Sequence, residues 1–260
     1  MSNNALIGWR NNVETGLVRA GSELSNLPAT NLQNGDGGLP WRSAADLSTW
    51  LEFDGGAGAL WRLAGLFLTN LTTAATLRVT VDDRGEDVGL GTIWDSGWRP
   101  AGVVPGFGQA VVPLDEEVTG RFMRIDLNDP GNPDGAIQVG LAFAGPAWQP
   151  QANFEAGLRE SLKDGHRRIT TRGGQTATEE RWEKRVGDLA FAWLDEDEAY
   201  DVAAALVRHG RRGGNALLLP FADQRLGQTA IYGEIEGGAI TMPSTRRQRR
   251  GWRFTIEERL

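Results

Sequence analysis

Short alternations of apolar and polar residues run through the first 145 residues of the chain. ATLRVTVDD (75–83) and GRFMRIDLND (120–129) each place an apolar residue at every second position, as half-buried β-strands do. ALWRLAGLFLTNL (59–71) is apolar almost throughout, and this pattern predicts a strand with a hydrophobic core on both faces. Many short strands separated by turn-forming residues indicate an antiparallel β-sandwich or barrel.

The remaining residues combine extended segments with one amphipathic helix. EDEAYDVAAALVRH (196–209) has an apolar stripe at helical spacing and acidic residues in its first turn. Asp195 is the expected N-cap and Gly210 the expected C′ glycine. GDLAFAW, NALLLPF and the alternating WRFTIEE predict further strands.

A proline-containing segment, GPAWQPQANF (145–154), separates these two regions. We therefore predict a mainly β chain with two domains. Residues 1–148 form a β-sandwich, and residues 149–260 form a β-rich domain with one α-helix at about 196–209.

Composition narrows the chemistry available to the chain. The 260 residues contain no cysteine and two histidines, which excludes disulfides, thiolate metal sites and cysteine nucleophiles. Neither a G-x-S-x-G motif nor a phosphate-binding glycine loop occurs. The sequence therefore predicts a protein that is not an enzyme and has no required cofactor.

The charge is unevenly divided between the two regions. Residues 1–150 have 9 basic against 17 acidic residues, a net charge of −8, whereas residues 151–260 have 18 against 17. An overall charge of −7 argues against nucleic-acid binding. No apolar run approaches the roughly 18 residues of a membrane span, so membrane insertion is not expected.

Three groups of residues are candidates for binding. Asp82, Asp83 and Asp87 in the turn DDRGED have the side chains of a calcium site, but the full EF-hand spacing is missing and a solvated hairpin turn is the favoured explanation. Trp94 and Trp98 in WDSGWRP, together with Trp41, have aromatic faces on which a sugar ring can stack. Core packing is the alternative for these tryptophans.

An arginine-rich segment near the end of the sequence is the third candidate. TRRQRRGWRF (245–254) predicts contact with acidic protein surface, and the arginines concerned are Arg246, Arg247, Arg249 and Arg250. A solvated loop and a phosphate-backbone contact are the alternatives.

The first region resembles galactose-binding-like, discoidin-type domains. LSNLPATNLQNGDGGLPWRS (24–43) is similar to their opening segment, and four later segments follow in the same order. These segments are WLEFDGG, ALWRLAGLFLTNLT, TLRVTVDD and RFMRIDL. The resemblance implies a jelly-roll sandwich, a fold that is used for sugar, lipid, protein and purely structural roles.

The second region resembles the C-terminal regions of tailed-bacteriophage minor tail proteins. The similar segments are ERW (180–182), RGG (212–214), LPF (219–221) and RGWRFTIEE (250–258). In the distal tail proteins of such phages, a β domain forms a hexameric ring and an attached sandwich points outward. The sandwich comes first in this chain, which departs from that order.

Together these observations predict a structural virion protein of a phage tail tip or baseplate, made in the host cytoplasm. It would form a homo-oligomeric ring, expected to be a hexamer, that joins the tail tube to the tip and contacts the tube and hub proteins. The alternative is a carbohydrate-binding module for a host-surface glycan. A glycoside hydrolase ranks third because no carboxylate pair stands out.

Overall fold

The computed structural model describes residues 4–35, 37–84, 91–154, 158–179, 181–241 and 250–259. The strands, in chain order, are β1 (Leu6–Gly8), β2 (Leu17–Ala20), β3 (Trp41–Arg42), β4 (Ser48–Asp54), β5 (Leu60–Phe67), β6 (Thr76–Asp82), β7 (Thr92–Asp95), β8 (Arg99–Pro100), β9 (Ala110–Thr119), β10 (Phe122–Asn128), β11 (Gln138–Val139), β12 (Leu141–Gly145), β13 (Arg159–Asp164), β14 (Arg167–Thr170), β15 (Thr176–Glu179), β16 (Glu183–Leu194), β17 (Asn215–Leu219), β18 (Ile231–Thr241) and β19 (Arg250–Glu258). The helical segments are α1 (Asn12–Thr15), a 3-10 turn (Ala29–Gln33), a π-helical segment (Glu198–Ala203) continuing into α2 (Ala204–Gly210), and α3 (Leu226–Thr229).

The first region is a sandwich of two antiparallel sheets. The large sheet has the order β2-β4-β10-β6-β7, and β8 also pairs with β6. The three-stranded sheet has the order β12-β5-β9. Inward-facing residues such as Phe53, Val79 and Ile125 pack with Ala64 and Leu66 in one core. The prediction of a mainly β chain that begins with a sandwich is confirmed.

The three-stranded sheet is buried on both faces. Alternation along β5 sends Ala64 and Leu66 into the sandwich core, while Leu63 and Phe67 enter a second cluster outside it. The partner layer there is a six-stranded C-terminal sheet of order β1-β17-β18-β19-β16-β13. Its Tyr232 stacks on Phe67 with ring centroids 4.7 Å apart. The two-sided burial predicted from residues 59–71 is therefore present.

The predicted helix lies on the other face of the C-terminal sheet. Ala199, Ala203 and Leu206 pack against a row of aromatic side chains in which Trp252 and Phe254 stack at 4.3 Å. Asp195 Oδ1 accepts a hydrogen bond from the Glu198 backbone N–H at 2.8 Å, and Glu198 Oε2 accepts one from the Asp195 backbone N–H at 3.3 Å. This reciprocal pair is a capping box, which supports the predicted start of the helix.

Two details depart from the sequence-based picture. Leu6–Gly8 pair with Leu219–Leu217, so the first strand lies in the C-terminal sheet and departs from the predicted division of the chain at residue 148. Gly210 ends the helix itself and does not follow it. A Cβ there would lie 2.4 Å from the Ile235 carbonyl oxygen, so close packing with β18 explains this glycine.

No helix within the described residues has both the length and the apolar character needed to cross a membrane.

Candidate functional site

The three tryptophans proposed as a sugar platform lie in different environments. Trp41 is completely buried in the sandwich core, and its Nε1 donates to the Ser22 carbonyl at 3.2 Å. Trp41 therefore presents no face to a ligand, and its proposed role was wrong. Trp94 is half-buried against the same core. Trp98 is 55% exposed, so one tryptophan of the set has a large face in solvent.

The local turn explains why Trp98 stands outside the core. β7 ends at Asp95, and Gly97 has φ +62, a conformation that glycine adopts without strain. Asp95 Oδ1 accepts from the Gly97 backbone N–H at 2.8 Å, which fixes the turn. The chain then enters β8, which pairs with β6. Trp98 is thus held at the edge of the large sheet.

A planar ion pair lies beside this turn. Arg78 Nε and Nη2 donate to the two carboxylate oxygens of Asp95 at 2.9 and 2.6 Å. The hydrogen bonds from Arg78 hold the pKa of Asp95 below its ordinary value. Both side chains are about one-third exposed. The pair therefore keeps a carboxylate and a guanidinium in fixed orientation at the solvent boundary.

The polar side chains of β4, β10 and β6 continue from this pair across the outer face of the large sheet. Asp126 lies opposite Trp50 on one side and Arg78 on the other. The Arg124 guanidinium lies 4.5 Å from the Trp50 ring centroid and donates to Asp126 at 2.7 Å. We call this row, with Trp98 at its edge, the outer-face surface; it comprises Trp50, Arg78, Asp95, Trp98, Arg124 and Asp126.

Two buried polar groups lie on the same face. Glu52 is 1% exposed and lies 3.7 Å from the guanidinium of Arg19. Thr80 is 0% exposed and lies opposite both Arg124 and Asp95 in the register. Its Oγ1 has no hydrogen-bond partner among the described residues. Both side chains therefore lie beneath the solvent-exposed part of the outer-face surface.

The proposed calcium site receives no further support. Asp82 accepts from the Arg84 backbone N–H at 2.9 Å, and Asp83 accepts from that of Arg121 at 3.0 Å. Asp87 lies outside the described residues. Within the described part of the chain, no group of three or more metal-binding side chains comes together. Calcium binding remains a prediction.

Of the arginines assigned to partner contact, Arg250 lies within the described residues, whereas Arg246, Arg247 and Arg249 lie outside them. Arg250 Nη2 is 3.3 Å from a carboxylate oxygen of Glu196, and its guanidinium lies over the Tyr200 ring at 4.8 Å. Arg250 thus contacts the first turn of its own helix. The predicted contact of Arg250 with another subunit remains a prediction.

Sequence reasoning missed most of the outer-face surface. Arg78, Arg124 and Asp126 are the polar members of two alternating strands that were identified from their apolar members. The same alternation places them together on one face once the strand order β4-β10-β6 is known. Strand order was the missing information, because these three strands are not consecutive in the chain.

No protein-family model matches the chain, and no curated protein matches it. Solved structures of small β modules are similar to about half of it. A chitosan-binding module from a chitosanase/glucanase of Paenibacillus sp. IK-5 is 14% identical, with a TM-score of 0.43 over 53% of this chain and 99% of the module. A fucose-binding module of Streptococcus pneumoniae is 14% identical, with a TM-score of 0.40 over 53% and 98%.

The lectin domain of lectinolysin, solved with the Lewis B antigen, is 10% identical, with a TM-score of 0.42 over 52% of this chain and 95% of that domain. None of these three proteins is described as a phage tail protein.

Proposed function

We propose that the sandwich is a non-catalytic carbohydrate-binding module, and that the outer-face surface binds the sugar. The observation that carries this proposal is Trp98, whose indole is 55% exposed three residues from Asp95, the partner of Arg78. Aromatic faces suit the apolar faces of pyranose rings, and fixed carboxylate and guanidinium groups suit their hydroxyls. The Trp50–Arg124 stack, hydrogen-bonded to Asp126, extends the same chemistry across the sheet.

A glycan array with a matched pair of tryptophan variants tests this proposal. Trp98→Ala is expected to reduce binding of the selected glycan at least tenfold, because it removes the stacking face. Trp193, which is 49% exposed in the C-terminal sheet, provides the control Trp193→Ala. Equal binding by both variants, or no glycan selected by the unaltered chain, would contradict the proposal.

We also propose that the C-terminal domain assembles the protein into a ring within a phage tail, where the outer-face surface would meet a host glycan. The supporting observation is the arm formed by β13, β14 and β15, in which every residue is exposed. Leu162 and Ile169 are 62% and 47% exposed there. A two-stranded hairpin is marginally stable alone, and an open sheet edge favours pairing with another chain.

Size-exclusion chromatography with light scattering tests the assembly. We expect a closed oligomer, with a hexamer as the specific prediction, that Ile169→Lys dissociates by placing a charge in the contact. Leu17→Lys is the control, because Leu17 is 61% exposed on β2, an edge strand of the sandwich. A monomer at high protein concentration, with no rings in electron micrographs of particles, would refute the ring.

A further inference from the structure

A cleft separate from the outer-face surface lies between the segment that follows β1 and the end of α2. Its volume is about 440 Å³, within the range of small-ligand sites. Two distant parts of the chain line it: residues 9–12, 14 and 15 on one side, and Ala205, Arg208, His209 and Arg212 on the other. The cleft therefore exists only where the two parts of the chain meet.

Positive charge converges on this cleft. Arg10, Arg208 and Arg212 are all exposed, and no ion pair joins any of them to a carboxylate among the described residues. The Arg10 guanidinium lies 5.6 Å from the ring centroid of Trp9, which also lines the cleft. Like charges brought together repel, and a bound oxyanion would relieve that repulsion.

The first wall of the cleft is rigidly held. Asn11 Oδ1 accepts from the backbone N–H groups of Val13 and Ala144 at 3.2 and 3.1 Å, and its Nδ2 donates to the Ala142 carbonyl at 2.9 Å. These bonds tie the segment after β1 to β12. A wall fixed before binding lowers the entropic cost of holding a ligand.

Glu14, the acidic residue among the described residues that line the cleft, is held in place by hydrogen bonds from two neighbouring side chains. The amide of Asn11 and the hydroxyl of Tyr232 both donate to its Oε1, at 3.2 and 3.5 Å. Burial raises the pKa of the Tyr232 phenol, so this hydroxyl keeps its proton. Glu14 and the neighbouring Asn12 therefore present polar groups beside the arginines and Trp9.

We infer that this cleft binds a sugar that bears a carboxylate. A guanidinium matches a carboxylate with two parallel hydrogen bonds, which suits Arg208 near the end of α2 and Arg212 in the turn that follows it, both of which line the cleft. The Trp9 ring suits the apolar face of the pyranose, and Asn12 and Glu14 suit its hydroxyls. This site shares no residue with the outer-face surface and does not depend on the proposed function.

Isothermal titration calorimetry of the full chain tests the inference. The ligands are digalacturonate, glucuronate and N-acetylneuraminate, with neutral digalactose and inorganic phosphate as comparisons. We expect at least one acidic sugar to bind tenfold or more tightly than digalactose and phosphate. Arg208→Gln/Arg212→Gln is expected to weaken that binding at least tenfold.

Arg211→Gln is the matched control, because Arg211 is exposed between the two arginines and does not line the cleft. It is expected to bind as the unaltered chain does, and circular dichroism checks the fold of each variant. Trp98→Ala should also bind the acidic sugar normally, which separates this test from that of the outer-face surface. Three results would each overturn the inference. They are no binding of any acidic sugar, phosphate binding as tight as that of the acidic sugars, and full affinity for the acidic sugar in the double variant.

Discussion

Phe143→Ala is expected to destabilise both domains together. Phe143 is completely buried on the outer side of the three-stranded sheet. It lies edge-on to Tyr232 of the C-terminal sheet, with centroids 6.1 Å apart. Gly8 of β1 packs so closely that a Cβ there would lie 2.4 Å from the Phe143 ring. Phe143, on β12 of the three-stranded sheet, therefore contacts the C-terminal sheet at two points that are far apart in sequence, Gly8 and Tyr232.

The size of the effect follows from this burial. Truncation of a fully buried phenylalanine to alanine costs about 3–5 kcal/mol, because apolar contact is lost and a cavity remains. The unfolding entropy is about 2.1 cal/mol/K per residue, so a loss of about 4 kcal/mol over 260 residues lowers Tm by roughly 7 °C. Phe221→Ala, at a site that is 37% exposed, should lower it much less.

Hydrogen exchange followed by mass spectrometry separates the two domains. If the sheets unfold as one unit, Phe143→Ala lowers the opening free energy equally for amides of the large sheet and of β17–β19. Loss of protection in the sandwich alone, with β17–β19 unchanged, would refute this cooperative coupling.

Three further changes test other contacts. Asp129→Ala should lower the urea midpoint by the equivalent of roughly 3 kcal/mol, because the buried carboxylate accepts three hydrogen bonds. Arg185→Met should lower the free energy of unfolding by about 3–5 kcal/mol in the same assay, because Glu258 loses its guanidinium partner. Adding Glu258→Gln should recover part of that free energy. Arg78 lowers the pKa of Asp95, so this pair stabilises the fold above the ordinary pKa of 3.8, and its contribution is lost as pH falls through the lower folded value. Sugar binding measured by calorimetry should weaken over that acidic range, and Asp95→Asn should remove this pH dependence.

The alternation and spacing of residues were enough to predict several strands and the start of the main helix. The alternation in residues 75–83 and 120–129 corresponds to β6 and β10, and the apolar run at 59–71 contains β5, buried on both faces. Asp195 and Glu198 form the cap expected from their spacing. These features depend on neighbours within a few residues, which a sequence shows directly.

Contacts between distant segments were not predictable in this way. Leu6–Gly8 is three residues long and has no alternation that distinguishes the C-terminal sheet from the sandwich. The burial of Trp41 and the exposure of Trp98 depend on which side of the chain meets the core at each position. The arginine-lined cleft joins residues about 200 positions apart, and no spacing rule relates them.

The two-sided burial of the three-stranded sheet has a consequence during synthesis. A ribosome completes β12 about 70 residues before β17 emerges, which at about 5–20 residues per second is roughly 4 to 14 s. Throughout that interval the nascent sandwich has Leu63, Phe67 and Phe143 uncovered, and β1 has no strand to pair with. Newly made chains are therefore most prone to aggregate at this stage, and chaperones that bind apolar surfaces would act then.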